Sequence, residues 1–228
     1  MDSKKVVCFD IGGTFVKYGV LDYEGNILAK GSFKSNTDNG QEILDNMCGV
    51  IEKYKKIFKI DGISISSPGF IDVENGVITT GTIINGFIGL NMKEYFGNKF
   101  GLPVVIDNDA NCATIAEHKL GNGKGCKNLV CVTIGTGIGG GIIINNEIYN
   151  GSRFMAGEFG FMFINGTKRQ NPDHYIYSNY ASTRALVEKA NKKLNEEVDG
   201  KQIFERAESG HTLNLKAFLP AGKQINKK

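Results

Sequence analysis

An aspartate just before a glycine-rich turn is the first group in the chain that could take part in chemistry. Asp10 ends a short apolar run and is followed by Gly12, Gly13 and Thr14. Backbone N–H groups in such a turn can approach an anion, because glycine has no Cβ in the way. The pattern predicts a phosphate-binding turn, and an ordinary β-hairpin with glycine at its turn is the alternative.

The same pattern occurs a second time. Residues 6–24 align without a gap with residues 129–147, and the second copy carries Gly135, Thr136 and Gly137 at its turn. Each copy is typical of a strand, a glycine turn and a second strand. A single copy would fit a plain hairpin equally well, whereas two copies could face one polyphosphate from opposite sides. The duplication therefore favours phosphate binding.

The segment between the two hairpins has an α/β pattern. Apolar residues at helical spacing predict a helix over 41–58, and a second helix is expected over 92–101. Strands are predicted at 61–67 and 103–107, a hairpin at 70–78, and a further helix from 112 to 120. Open α/β sheets place ligand-binding loops at the carboxyl ends of their strands. The turns at Gly69 and at residues 108–111 are therefore candidate sites.

Composition excludes several classes of protein. The 228 residues are 41% hydrophobic and 22% charged, which is ordinary for a globular protein, and the net charge of +3 is too small to indicate nucleic-acid binding. No apolar run approaches the ~20 residues that would cross a bilayer. We also expect no signal peptide, since Met1 and four polar residues lead directly into the first strand. We therefore expect a cytoplasmic protein with neither a nucleic-acid nor a membrane partner.

Five motifs follow one another in the order, and at approximately the spacing, that they have in the ROK family. The chain therefore resembles that family. That family includes bacterial glucokinases, N-acetylmannosamine kinases, β-glucoside kinases and sugar-responsive repressors. The motifs are DIGGT at 10–14, SSPG at 66–69, DNDAN at 107–111, TIGTGIGGG at 133–141 and GEFG at 157–160. The resemblance implies an actin-like ATPase (ribonuclease H-like) α/β fold built from two duplicated domains. We place these domains at residues 1–112 and 113–228, with the second one incomplete.

The resemblance implies a sugar kinase that uses ATP and Mg²⁺ to phosphorylate a hydroxyl of a hexose or a hexose-containing glycoside. Asp109 is the implied general base, and Asp10 would face Mg²⁺ or the transferring phosphoryl group. The implied phosphate contacts come from the two turns, at Gly12, Gly13, Thr14, Gly135, Thr136 and Gly137. Lys17 would either contact phosphate or merely reach solvent.

On the sugar side, the resemblance implies contacts from Gly69, Asn85, Asn108 and Glu158. Asn91 competes with Asn85, because the register of their loop is off by one or more residues. The amides of Asn108 and Asn111 could bind sugar hydroxyls. Without the resemblance, a plain helix N-cap would explain residues 108–111 better than a catalytic turn, because Asn and Asp are favoured there.

Phe161 marks a departure from the family pattern. Most relatives have histidine there, and that histidine binds a structural zinc with a cysteine cluster that follows it. This chain has no cysteine after Cys131, and His174 and His211 alone cannot supply the usual four ligands. We therefore expect no zinc site. The chain resembles the zinc-less branch that contains β-glucoside kinases, and a phenyl ring offers a surface for a pyranose or a second sugar ring.

The end of the chain is the largest departure, since the strand, Gly-Gly turn and returning helix usual in the family are not found there. We interpret the chain as truncated or frame-shifted, with its last ~20 residues disordered because they lack helical periodicity. An exposed apolar sheet face, low solubility and weak activity are then expected. The resemblance is also compatible with a homodimer. The alternative function is an inactive sugar-binding protein or pseudokinase without a transcriptional role.

Overall fold

A five-stranded sheet forms the first half of the computed structural model, which describes residues 3–164 and 175–209. Its strand order is β3-β2-β1-β4-β7, and β5 and β6 form a separate hairpin. The strands are β1 (Lys5–Ile11), β2 (Phe15–Asp22), β3 (Ile27–Lys34), β4 (Gly62–Ser67), β5 (Phe70–Asp72), β6 (Val77–Thr80) and β7 (Val104–Asn108). Because β4 and β7 run parallel to β1, the carboxyl ends of these three strands meet at one edge.

Three helices accompany this sheet: α1 (Gly40–Lys55), α2 (Met92–Phe100) and α3 (Asp109–Leu120). The α1 helix buries Ile43, Met47 and Ile51 in the main core, together with Val7 and Phe9 of β1. These apolar residues recur every three to four positions along α1, which places them on one side of the helix. The predicted helix over 41–58 is confirmed, although it begins one residue earlier and ends three residues sooner.

The second half contains a three-stranded sheet of β8 (Leu129–Ile134), β9 (Ile138–Ile144) and β10 (Glu147–Ile148). A short 3-10 helix at Phe159–Phe161 follows, and then come α4 (Tyr177–Ala181), α5 (Thr183–Leu194) and α6 (Gly200–Glu208). The predicted second hairpin is β8–β9, which closes at the pair Ile134–Ile138 just as β1–β2 closes at Ile11–Val16. The duplicated hairpin is therefore confirmed.

Glycines of β9 let α3 approach the second sheet closely. A methyl group at Gly141 would lie 2.5 Å from Oγ1 of Thr114, and one at Gly139 would lie 3.0 Å from Cβ of Ala110. Such distances exclude a side chain at either glycine unless α3 moves away. Gly139 and Gly141 therefore allow close packing of the helix that carries Asp109. The preceding glycines, Gly135 and Gly137, form the turn.

Two elements differ from the sequence predictions, α3 and β3. The α3 helix begins at Asp109, whereas the prediction started it at 112, because Asn108 caps the helix. The strand β3 was not predicted, since Ile27 and Leu28 are exposed and give no clear alternation. The domain boundary after residue 112 falls within α3, and the two-domain division stays a prediction. The predicted disorder of the last residues lies outside the described part.

One face of β8 is exposed, as the sequence predicted for the second half. Val130, Val132 and Ile134 retain 58%, 48% and 64% of their accessible surface. These side chains alternate along the strand and therefore share one face of the sheet.

Within the described residues, no helix combines the length and hydrophobicity that a bilayer crossing requires.

Candidate active site

The carboxyl ends of β1, β4 and β7 bring Asp10, Ser66 and Asp107 side by side. Asp10 is in register with Ser66, and Ser66 is in register with Asp107. The Ser66 hydroxyl donates a hydrogen bond of 3.0 Å to Oδ1 of Asp10. Ser66 was named in a sequence motif without a role, and only the pairing of β1 with β4 places it beside Asp10. This strand edge is polar and anionic.

Asp109 lies one residue beyond β7, in the first turn of α3. Oδ1 of Asn108 caps the helix by accepting from the N–H of Ala110 at 2.8 Å and of Asn111 at 3.3 Å. Oδ1 of Asp109 also accepts from the N–H of Ala110, at 2.8 Å. The sequence left open whether this segment is a cap or a catalytic turn. In the structure Asn108 caps the helix, and the role of Asp109 as a base stays a prediction.

The environment of Asp109 favours its protonated form. Its carboxylate reaches solvent, yet loss of hydration against the surrounding protein raises its pKa, and the negative charge of Asp10 raises it further. The hydrogen bond from the Ala110 N–H acts in the opposite direction but does not cancel these effects. A carboxylate with a raised pKa binds a proton more tightly, which suits a general base near neutral pH.

Glu158 is the second carboxylate near Asp109. It follows Gly157, whose φ is +85° and whose Cβ, if present, would lie 2.5 Å from the carbonyl oxygen of Gly140. The loop thus rests directly on the backbone of β9. Burial raises the pKa of Glu158, and the charge of Asp109 adds to this shift. The structure therefore brings together two predicted site residues that are 49 positions apart in the sequence.

The two glycine turns use some of their N–H groups internally. Gly12 donates to the carbonyl of Phe15 at 3.0 Å, and Gly135 donates to the carbonyl of Gly137 at 2.8 Å. Within residues 3–164 and 175–209, no partner is found for the N–H groups of Gly13, Thr14, Thr136 and Gly137. These exposed donors fit a phosphate chain. Phosphate contacts of Gly12 and Gly135 themselves stay predictions.

Lys17 lies opposite Asp10 in the β1–β2 ladder. Its Nζ is 3.8 Å from Oδ2 of Asp10, and both side chains are largely exposed. Exposed ion pairs contribute little free energy, so the pair can open when a cation or phosphate arrives. Lys17 thus has an ionic partner at the site, and its contact with phosphate stays a prediction.

Gly69 and Asn108 are joined at the sheet edge. Nδ2 of Asn108 donates to the carbonyl of Gly69 at 3.0 Å, while Oδ1 caps α3. Gly69 has φ +109°, and a Cβ there would lie 2.7 Å from the carbonyl oxygen of Thr80. Both polar atoms of Asn108 are therefore engaged, and it positions the Gly69 turn. Direct sugar contacts from Gly69 and Asn108 stay predictions.

The structure separates the two asparagines that competed for the sugar loop. Oδ1 of Asn91 caps α2 by accepting from the N–H of Glu94 at 2.9 Å. Asn85 is exposed, and its backbone binds the carbonyl of Thr37 at 2.8 Å and the N–H of Gly40 at 3.1 Å. Asn85 therefore keeps a free side-chain oxygen on an anchored backbone. This favours Asn85 over Asn91 for a sugar contact, which remains a prediction.

Asn111 is buried and joins two segments of the chain through its side-chain NH₂ group. Its side chain is 7% exposed, and Nδ2 donates to Oδ1 of Asp107 at 2.9 Å and to Oδ1 of Asn150 at 3.3 Å. Both amide hydrogens are thus engaged within the protein, while the Asn111 oxygen has no partner among the described residues, so a contact with a sugar hydroxyl stays a prediction. Asn150 could not be predicted from the sequence, because it lies 39 residues away and contacts Asn111 only through the fold.

The structure describes Phe161 but neither of the two histidines discussed above. Phe161 ends the 3-10 helix and is 58% exposed. The described residues contain no group of three or more His, Cys, Asp or Glu side chains arranged to hold a metal ion. His174 and His211 lie outside the described residues. The expected lack of zinc therefore stays a prediction.

Comparison with solved structures identifies the fold. A ROK family glucokinase from Streptomyces griseus, solved in complex with glucose and AMPPNP, superposes with a TM-score of 0.81. The match covers 96% of this chain and 76% of that one, at 28% identity. The fold is that of the actin-like ATPases.

Sequence comparison gives the family: residues 6–227 match the ROK family, and the chain belongs to it. A β-glucoside kinase from Listeria monocytogenes is 39% identical over 209 residues, which cover 88% of this chain and 68% of that protein. A glucokinase from Streptomyces coelicolor is 36% identical over 194 residues, which cover 82% of this chain and 59% of that protein. These relatives place the chain with the sugar kinases of the family.

Proposed function

We propose that the protein transfers the γ-phosphoryl group of ATP to a hydroxyl group of a glucose-containing sugar. The observation that supports this most directly is that Asp10 and Glu158 both lie close enough to Asp109 for their charges to interact, while the two glycine turns carry N–H groups that have no partner among the described residues. Phosphoryl transfer needs mainly positioning, charge neutralisation and a group that accepts the hydroxyl proton. Each of these requirements has a candidate at this site.

Asp109 accepts the proton of the attacking hydroxyl. Its raised pKa makes it a stronger base than an ordinary aspartate, and α3 holds it in place through the Asn108 cap. Glu158 holds neighbouring sugar hydroxyls, because a carboxylate accepts strong hydrogen bonds. Asn85 supplies a further acceptor from the opposite loop.

Asp10 fits the position of a Mg²⁺ ligand. Its carboxylate is exposed, sits beside the Ser66 hydroxyl and is paired only loosely with Lys17. Mg²⁺ prefers oxygen ligands, usually one or two carboxylates with waters and substrate phosphates. When bound, the ion neutralises the phosphates of ATP, while Gly13, Thr14, Thr136 and Gly137 bind them through backbone N–H groups. Because ATP is the donor, we propose that the reaction takes place in the cytoplasm. The homodimer stays a prediction.

We propose a β-glucoside, rather than free glucose, as the preferred acceptor. The exposed ring of Phe161 lies three residues beyond Glu158, and aromatic faces pack well against pyranose rings. The Listeria monocytogenes relative named a β-glucoside kinase, at 39% identity, supports the same choice. The second sugar ring or aglycone would then cover Phe161.

A coupled ADP-release assay with glucose, N-acetylmannosamine and cellobiose tests this function. Cellobiose should give the highest kcat/KM. Phe161→Ala should raise the KM for cellobiose about 3- to 10-fold, the loss expected for one aromatic contact, and change the KM for glucose by less than about twofold. The matched control is Phe204→Ala, which removes an equally exposed ring from α6. Equal losses with glucose and cellobiose would exclude an aglycone contact, and turnover of none of the three sugars would contradict the sugar-kinase function.

The metal content provides a separate test. Because Phe161 and the cysteine pattern leave too few ligands for zinc, the purified protein should contain no stoichiometric zinc. Chelation with EDTA should abolish turnover, and added Mg²⁺ alone should restore it. Elemental analysis that finds one zinc per chain would contradict the expectation.

A further inference from the structure

A buried asparagine links the helix that carries Asp109 to the loop that carries Glu158. The Nδ2 group of Asn111 donates one hydrogen bond to Asp107, at the end of β7, and another to Asn150. Asn150 begins the loop that runs from β10 to Glu158. The N–H of Ala156 donates to the carbonyl of Asn150 at 3.1 Å, which closes this loop on itself.

The orientation of the Asn111 amide follows from its partners. Oδ1 of Asp107 already accepts from the N–H of Asn108 at 2.7 Å, so it faces Asn111 as an acceptor. The NH₂ group of Asn111 must therefore point to it, and the same NH₂ group reaches Oδ1 of Asn150. This leaves the Asn111 oxygen buried without a hydrogen-bond partner among the described residues. A buried carbonyl without a hydrogen bond lowers the stability of the folded protein. A side chain with this cost is typically retained for a reason other than stability.

The other end of the loop is also fixed. Gly157 packs against the backbone of Gly140 so closely that a Cβ would lie 2.5 Å from its carbonyl oxygen. The segment from 150 to 157 is thus held by Asn111 at its start and by β9 at its end. Glu158 follows directly, so its position relative to Asp109 depends on both anchors.

We propose that Asn150 is a positioning residue, which acts through Asn111 to hold the Glu158 loop in register with Asp109. This inference rests on the proposed function, because it assigns Asp109 to proton transfer and Glu158 to sugar binding. The side chain of Asn150 acts through its hydrogen bond to Asn111, whereas its backbone carbonyl keeps the bond from Ala156 in any variant. Replacement of Asn150 should therefore weaken sugar binding and leave ATP binding unchanged, because the two glycine turns lie elsewhere in the two hairpins.

Asn150→Ala removes the acceptor, whereas Asn150→Asp keeps an oxygen at the same place. We expect Asn150→Ala to raise the KM for sugar about 5- to 20-fold, the size of one lost hydrogen bond, with the KM for ATP within about twofold of wild type. Asn150→Asp should stay within about threefold in both KM values. Asn128→Ala is the matched control, since Oδ1 of Asn128 accepts from the N–H of Asn145 at 3.0 Å at the far end of the same sheet.

Hydrogen–deuterium exchange of the free protein gives a readout that does not need activity. Peptides covering 150–158 should exchange faster in Asn150→Ala than in wild type, and those covering α1 should not change. Unchanged exchange, an unchanged sugar KM, or equal increases in both KM values together with a fall in Tm would each overturn the proposal. Lack of turnover by the wild type would instead count against the proposed function, and the exchange result would still decide whether the bridge holds the loop.

Discussion

Replacement of Asp109 by asparagine should lower kcat about 10²- to 10⁴-fold, which is the usual contribution of a general base. The KM for sugar should stay within a few fold, because the amide keeps an acceptor oxygen and the Asn108 cap is untouched. The hydrogen bond from the Ala110 N–H can still form with the asparagine oxygen. Steady-state kinetics with saturating ATP measures both values. Turnover equal to that of wild type would remove Asp109 from the mechanism.

The same substitution should raise the thermal stability. A carboxyl group whose pKa is raised in the folded protein stabilises the fold while it is protonated. This stabilisation is complete below the pKa of the group in the unfolded chain. It is lost as the pH rises through the pKa of the group in the folded protein. At pH 8 the charged Asp109 is therefore unfavourable, and Asp109→Asn should melt at a higher temperature than wild type. The difference should shrink as the pH is lowered toward 4, where Asp109 approaches neutrality.

Asp22→Asn provides the control for this stability effect. The hydrogen bond from the Asn26 side chain is the main reason that the pKa of Asp22 is lowered, so its charge is favourable in the folded state. Loss of that charge should not raise Tm at pH 8. A Tm for Asp109→Asn at or below that of wild type at pH 8 would show that the charge of Asp109 is not a cost to folding.

The glycine hairpins and the order of helices could be predicted because their signals are local. Alternating apolar residues around a glycine turn specify β1–β2 and β8–β9 without reference to the rest of the chain. The strand β3 could not be predicted in this way, since it pairs only with β2 and leaves Ile27 exposed. Its formation depends on a neighbour already in the sheet, which a local pattern does not contain.

The site was predictable to the extent that its residues lie in motifs. Asp10, Asp109 and Glu158 were found there, and the structure brings them together. The roles of Ser66 and Asn111 depend on contacts across the fold: Ser66 binds Asp10 from the adjacent strand, and Asn111 reaches Asn150 from α3. The sequence suggested that the Asn111 amide could bind a sugar hydroxyl, and this stays a prediction, because its oxygen has no partner among the described residues. Only packing distinguishes an amide that binds a ligand from one that ties two segments together.

Substitution of Glu158 by glutamine should raise the KM for sugar about 10- to 100-fold, since a hydrogen bond to a carboxylate is worth about 1.5–3 kcal/mol. The fall in kcat should be smaller, because Glu158 holds the sugar and takes no proton. Glu147→Gln is the matched control: Glu147 is exposed on β10 of the same sheet, and the same change there should leave both constants within about twofold.

The pH profile of Glu158→Gln tests whether the two carboxylates act as one site. The charge of Asp109 raises the pKa of Glu158. Because the interaction between two charged sites is mutual, we expect a charged Glu158 to disfavour the ionisation of Asp109 in turn. Without that charge the pKa of Asp109 falls, so the base stays ionised to lower pH. The acid limb of kcat/KM should therefore move to lower pH in Glu158→Gln and stay in place in Glu147→Gln. An acid limb that does not move would mean that Glu158 and Asp109 are too far apart in the working enzyme to share one sugar, and an unchanged sugar KM would remove Glu158 from the binding site altogether.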